Sequence, residues 1–118
     1  MTNGLIKSGD VQGKHLVGHK GAKLGAVREM FVDLASGRIE FLIVETAGLL
    51  GGSGKFHPVP WAAVHYDAAD DAFQIEMAKE AFKAAPGYDR EQLGDASYGW
   101  NEHAARYFAT AREGGLVA

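Results

Sequence analysis

The chain has no cysteine. Neither a disulfide framework nor a thiolate metal site is available to it, and the absence fits a reducing compartment. No apolar run approaches the ~18 residues of a membrane span. The opening Met1-Thr2-Asn3-Gly4 is not a charged stretch followed by an apolar one, so no signal peptide is expected. A cytoplasmic protein with no membrane span is therefore expected. Positive charge is scarce as well. The net charge is −3 and the isoelectric point is near 5.9, which weighs against non-specific nucleic-acid binding. The few cations are unevenly placed. Residues 1–38 carry net +3 and residues 39–118 net −6, a polarity able to orient a partner or a second copy. Proline occurs three times. Pro58 and Pro60 stand two apart, and each removes a donor from a strand ladder, so the stretch Phe56–Trp61 cannot be central in a sheet throughout.

What is present is strand signal. At 118 residues the chain is one domain by length and buries roughly 65% of its unfolded surface, enough for a core without staples. The strongest stretch is Leu24–Val44, two apolar runs joined across Ser36-Gly37. In the first run Met30, Val32 and Leu34 fall on one face, with Glu29, Phe31 and Asp33 on the other. Leu24 and Val27 are three apart, so a bulge near Arg28 is needed to keep register, and Gly25 suits a bend. In the second run Ile39, Phe41 and Ile43 share a face, and Leu42 and Val44 share the other with Glu40. A strand apolar on both sides wants cover on both: a barrel interior on one side and a helix, loop or second subunit on the other.

The remaining segments extend this reading. Val11–Val17 reads as a first strand, and Gly18–Gly21 as a turn. Lys14, His15, His19, Lys20 and Lys23 form a small basic cluster, a solvated hairpin end or a contact for a phosphate or carboxylate. His15 and His19 straddle the turn, which argues against a zinc pair. The glycine-rich Gly48–Lys55 is not a phosphate loop. The required first glycine is Leu49, and Phe56 stands where Ser or Thr is needed. Leu49 and Leu50 on that loop either fold back over a barrel end or form a contact site. Trp61 reads as a large core anchor. Ala72–Met77 is a last strand with Phe73, Ile75 and Met77 inward, and Ala78–Ala84 is a short helix ended by Pro86. After an irregular stretch at residues 85–90, Ser97 can cap a final helix. On it Trp100, His103, Ala104, Tyr107, Phe108 and Ala111 recur as one apolar-aromatic stripe, stopped by Gly114-Gly115. The stripe docks on the barrel or on a second subunit; a cofactor box from Trp100, His103 and Tyr107 is the minority reading.

The fold expected is mainly β: a small barrel of antiparallel strands with a short helix and a C-terminal amphipathic helix. Residues 1–10 form a loose start, 11–77 the barrel and 78–118 a helical extension. Several stretches resemble the PRC-barrel family: Leu16-Val17-Gly18, Leu24-Gly25-Ala26-Val27, Val32-Asp33, Ser36-Gly37-Arg38 and Val44, then the glycine loop and Val59-Pro60-Trp61-Ala62-Ala63-Val64. The tail is similar to that of small stand-alone bacterial members, with Ala85–Arg90, Trp100 and Tyr107-Phe108. The resemblance implies a PRC-type barrel used as an assembly module. Family members include the cytoplasmic domain of the photosynthetic reaction-centre H subunit and the C-terminal domain of the ribosome maturation factor. This chain lacks the membrane helix of the first and the N-terminal domain of the second, so neither role carries over. The family supplies no catalytic residues to transfer.

Three functions compete. The first is a non-catalytic protein-interaction module, self-associating as a homodimer or higher homo-oligomer, or docking on another protein complex. Its contact residues would be Leu49, Leu50, Trp100, His103, Tyr107 and Phe108. The second is a small-ligand binder or enzyme drawing on His57, His65, Tyr66, Asp67 and His103, with His65 and Asp67 on one face of an extended chain. The third is a ribosome-associated factor of the rRNA-processing type, favoured only by Lys14, Lys20, Lys23, Arg28 and Arg38. The first is preferred: no enzyme, no cofactor and no metal are expected, and nucleic acid is not the expected partner.

Overall fold

The computed structural model describes residues 4–46, 54–95 and 99–113, with side chains through residue 110. A one-turn helix α1 (Ser8–Val11) precedes β1 (His15–Val17), β2 (Lys23–Asp33), β3 (Arg38–Glu45), β4 (Phe56–Pro60), β5 (Val64–Asp67) and β6 (Ala72–Ile75). Three helices follow: α2 (Lys79–Lys83), α3 (Arg90–Leu93) and α4 (Trp100–Glu113). The six strands form one sheet in the order β4-β3-β2-β1-β6-β5. All pairings are antiparallel except β1 with β6, which is parallel. The two edge strands, β4 and β5, are neighbours in sequence, joined by the 3₁₀ turn Trp61–Ala63. Three residues span only about 10 Å. The two edges must therefore approach each other, and the sheet rolls into a barrel-like form without closing by a β4–β5 ladder.

The proline argument holds in space: the strand carrying Pro58 and Pro60 is an edge, pairing only with β3 within the sheet. Part of its outer side is covered by an isolated bridge, in which Phe56 and Tyr88 exchange both backbone hydrogen bonds at 2.9 Å. The first strand is shorter than expected. Val11 ends α1 with its side chain in the core, and Gly13 at φ +92° turns the chain before β1 begins at His15. Close approach requires glycine at several positions. A Cβ on Gly18 would lie 2.5 Å from the Met77 carbonyl oxygen, and one on Gly25 would lie 2.6 Å from that of Glu45.

The β2–β3 hairpin carries two irregularities. Register slips between Val27 and Glu29, leaving Arg28 as the extra residue, the bulge the hydrophobic spacing required. It slips again where Phe31 pairs Phe41 and Val32 pairs Ile39, leaving Glu40 unpaired on β3. The second slip corrects the expected faces. Ile39 does not share a face with Phe41 and Ile43; it packs against the main core, because one extra residue inverts every side chain beyond it. Val32 keeps the side of β2 that Met30 takes, opposite Ile39, yet Val32 and Leu34 are not covered. They are 46% and 94% exposed, because the hairpin end runs past the strands that would cover it.

Two clusters make the core. The main one gathers Leu16, Val27, Leu42, Val44, Val59, Phe73, Ile75 and Met77 from the sheet with Phe82 of α2 and Phe108 of α4. The second gathers Ile43, Phe56, Leu93 and Trp100, with Phe31 and Phe41 packed against it. β3 thus buries both faces, as its pattern demanded, and its outer cover is α3 with the first turn of α4. The stretch expected to be irregular, residues 85–90, gives way at Arg90 to α3. Asp89 and Gln92 close a capping box there, with backbone–side-chain bonds of 2.8 and 3.0 Å. Trp61 is not a core anchor. It sits in the 3₁₀ turn between the edges, 39% exposed, with its ring edge-on to Phe73.

Candidate functional site

An apolar surface feature lies over the distal end of the β2–β3 hairpin. Phe31 and Phe41 face each other across the ladder. Trp100 stands edge-on to both, with ring centroids 4.8 and 5.3 Å away. Its indole N–H donates to the Leu93 carbonyl at 3.0 Å, which ties α4 to the end of α3. A gap remains in front of this cover: an open groove of about 680 Å³ lined by Phe31, Val32, Asp33, Glu40, Phe41, Leu93, Gly94, Trp100 and Asn101. Its floor is aromatic and aliphatic. Its rim carries two carboxylates, and among the described residues no lysine or arginine lines it. Asp33 is engaged by the turn, accepting from the Ser36 hydroxyl at 2.7 Å and the Ser36 backbone N–H at 3.3 Å. The hydroxyl bond, more than the backbone bonds, holds its carboxyl below the usual range. Glu40 is the bulge residue, exposed and outside the ladder.

The terminal stripe is split between clusters. Trp100 and Phe108 are buried within this chain, in the second and main clusters respectively. Tyr107 is half-buried and its hydroxyl donates to the Ala81 carbonyl at 2.5 Å, joining α4 to α2. His103 is exposed. The stripe therefore docks on its own barrel, and Trp100, His103 and Tyr107 do not assemble into one box. Leu49, Leu50 and Ser97 lie outside the described residues.

The polar candidates are also dispersed. His57 is buried on β4 beside Phe82, with ring centroids 5.0 Å apart. Its Nδ1 lies 3.0 Å from the Pro86 carbonyl, which can only accept, so Nδ1 carries the proton. Burial pushes the imidazole pKa down, against the Pro86 carbonyl's pull upward. Asp67 does not pair with His65. Its carboxylate accepts from the Gln74 amide at 2.8 Å and the Ala69 backbone at 3.0 Å. Tyr66 instead donates to Asp71, which also takes Lys14 at 2.6 Å. This trio pins the residue before β1 to the β5–β6 turn. His65 lines a smaller hollow of about 340 Å³ with His19, Lys20, Asp70 and Glu76. Among the described residues no three His, Asp or Glu are grouped to hold a metal ion. Of the five cations proposed for RNA, Lys14 is held by Asp71 and Arg28 by Glu45 at 2.7 Å.

Phe31, Val32, Phe41 and Leu93 were not among the sequence-derived contact residues. The Asp89-x-x-Gln92 capping signature was visible and would have placed Leu93. The bulge at Glu40 left no such mark, since nothing in Arg-Ile-Glu-Phe shows which residue is extra.

Among the described residues no helix is long and apolar enough to cross a membrane. No curated protein matches the chain. The sequence profile of the PRC-barrel domain matches residues 3–82, a span that takes in β1–β6 and all but the last residue of α2, with Gly18 and Gly25, whose backbone contacts exclude a side chain. Sequence profile and rolled six-stranded sheet agree, and the chain belongs to the PRC-barrel family.

Proposed function

We propose that the chain is a non-catalytic protein-interaction module whose contact face is the groove at the distal end of the β2–β3 hairpin. The observation that carries this is the apolar floor of Phe31, Phe41, Leu93 and Trp100 lying open beside the exposed Val32, with the exposed Leu34 two residues further along the hairpin. Exposed aliphatic side chains next to a rigid aromatic hollow with a polar rim make the anatomy of a docking patch. PRC-barrel domains often mediate interactions, which supports the same reading. So does the scatter of the polar candidates: His57 is turned to Pro86 and Asp67 to Gln74, leaving His65 without its proposed acid. We take the module to act in the cytoplasm, on the absence of cysteine.

The test is a photo-crosslinking side chain placed at Leu34, with a control at exposed Lys83 on α2. Light should give a protein adduct from position 34 and none from position 83. Equal adducts at both positions, or none at 34, would overturn the assignment.

A further inference from the structure

The groove over the hairpin end is acidic as well as apolar. Phe31, Phe41, Leu93 and Trp100 make its floor, and Asp33 and Glu40 stand on its rim. The two carboxylates differ. Asp33 accepts from Ser36 in the turn, whereas the Glu40 carboxylate has no hydrogen bond or ion pair among the described residues. The bulge places Glu40 there, outside the β2–β3 ladder. The nearest cations in the sequence lie off the groove or are engaged elsewhere. Arg38 pairs opposite Asp33 but does not line the groove. Arg28 is held by Glu45 at 2.7 Å, and the Arg90 guanidinium lies 5.2 Å from the centroid of the Phe56 ring.

Floor and rim together select the occupant. The carboxylates repel phosphate, which sets nucleic acid and anionic lipid aside. An acidic segment would bring like charges together, and a wholly apolar one would leave the rim's charge unanswered. An aliphatic side chain beside an arginine or lysine satisfies both. The aliphatic group covers Phe41 and Trp100, the stem of the basic residue lies along Phe31 and Val32, and its head reaches Glu40. We propose that the groove takes a basic-apolar peptide segment of a different protein, an arginine or lysine flanked by aliphatic residues. The chain's own net charge of −3 favours a partner of opposite sign. The groove is open, about 680 Å³, so its occupant keeps one side in water, as a segment of a larger chain does. This rests on the interaction reading above and names the chemistry of its partner.

Titration followed by nuclear magnetic resonance tests this, because the chain has two tryptophans and only Trp100 lines the groove. Its indole N–H reports on the groove, and that of Trp61 is the control. The probe is an equimolar mixture of capped tripeptides with arginine between two residues drawn from leucine, isoleucine, valine and phenylalanine. At millimolar concentration it should shift the Trp100 indole and the Glu40 and Gly94 amides saturably and leave Trp61 unmoved. Replacing arginine by citrulline, its neutral isostere, should weaken binding about threefold, and replacing it by glutamate about tenfold. Glu40→Gln should cut the preference for arginine over citrulline to under about twofold. The position is exposed and outside the ladder, so folding is not at stake, and the rest of the spectrum checks it. No shift at Trp100, an equal shift at Trp61, or equal affinity for the three mixtures overturns the proposal. So does a Glu40→Gln chain that keeps the full preference. If the Leu34 probe then captures a protein through a neutral or acidic segment, or captures the chain itself, the interaction module stands and only its occupant is wrong. If the probe captures nothing, both readings fall.

Discussion

His57 shows how a single residue ties composition to stability. It is among the few polar side chains in the core, held by the Pro86 carbonyl and by contact with Phe82. Gly87 lies so close that a Cβ there would stand 2.9 Å from the ring. Burial sets the folded pKa below its ordinary 6.5. The unfolded chain therefore takes a proton near pH 6.5 that the folded chain refuses until lower pH. The contribution is fully present above pH 6.5 and is lost as pH falls toward the depressed folded value. Asp33 and Asp71 are lowered as well, below 3.8, so their contributions are lost only in a more acidic window. Urea midpoints should fall between pH 7.5 and 5, and His57→Leu should flatten that slope whatever it does to the midpoint itself. An unchanged slope in the variant would remove His57 as its source.

At the scale of elements, the hairpin is where the register of the fold is decided. Two extra residues, Arg28 and Glu40, re-aim the side chains beyond them. The first brings Glu29 and Phe31 to their places after Val27, and the second turns Ile39 toward the main core. What covers the outer face is Trp100, fixed by its bond to Leu93 and by two ring contacts. Trp100→Ala should cost about 3–5 kcal/mol, the range for emptying a large aromatic site. Leu34→Ser, at a side chain 94% exposed, should stay within about 0.5 kcal/mol. Urea denaturation of the two variants measures both, and a similar cost at both positions would contradict the division between core and contact surface.

For the molecule as a whole, the C-terminal helices share the barrel's core. Phe82 and Phe108 belong to the same cluster as Leu16 and Val44, and the Tyr107 hydroxyl bridges α4 to α2. α4 also reaches the second cluster through Trp100. Helix and sheet should therefore unfold in one transition. Far-ultraviolet circular dichroism and tryptophan fluorescence, which here reports both Trp61 and Trp100, should give coincident denaturation curves. An early loss of helix signal would show α4 to be a separable unit.

How much of this was legible before folding follows from the range of each interaction. The hairpin, its first bulge, the edge placement of the strand with two prolines, and the double cover of β3 could all be read locally. Each rests on side-chain alternation or on a missing backbone donor, and both act between near neighbours in the chain. The bulge at Glu40, the exposure of Val32 and Leu34, the failure of His65 to meet Asp67 and the split of the terminal stripe could not. Each depends on which distant strand or helix arrives opposite, and pairing between remote segments leaves no periodic trace at either one. The groove belongs to this second class. Its floor is assembled from residues 31, 41, 93 and 100, and only the docking of α3 and α4 on the hairpin brings them together. The sequence by itself therefore determined a small rolled β domain, and the tertiary structure alone decided which of its apolar residues remain at the surface.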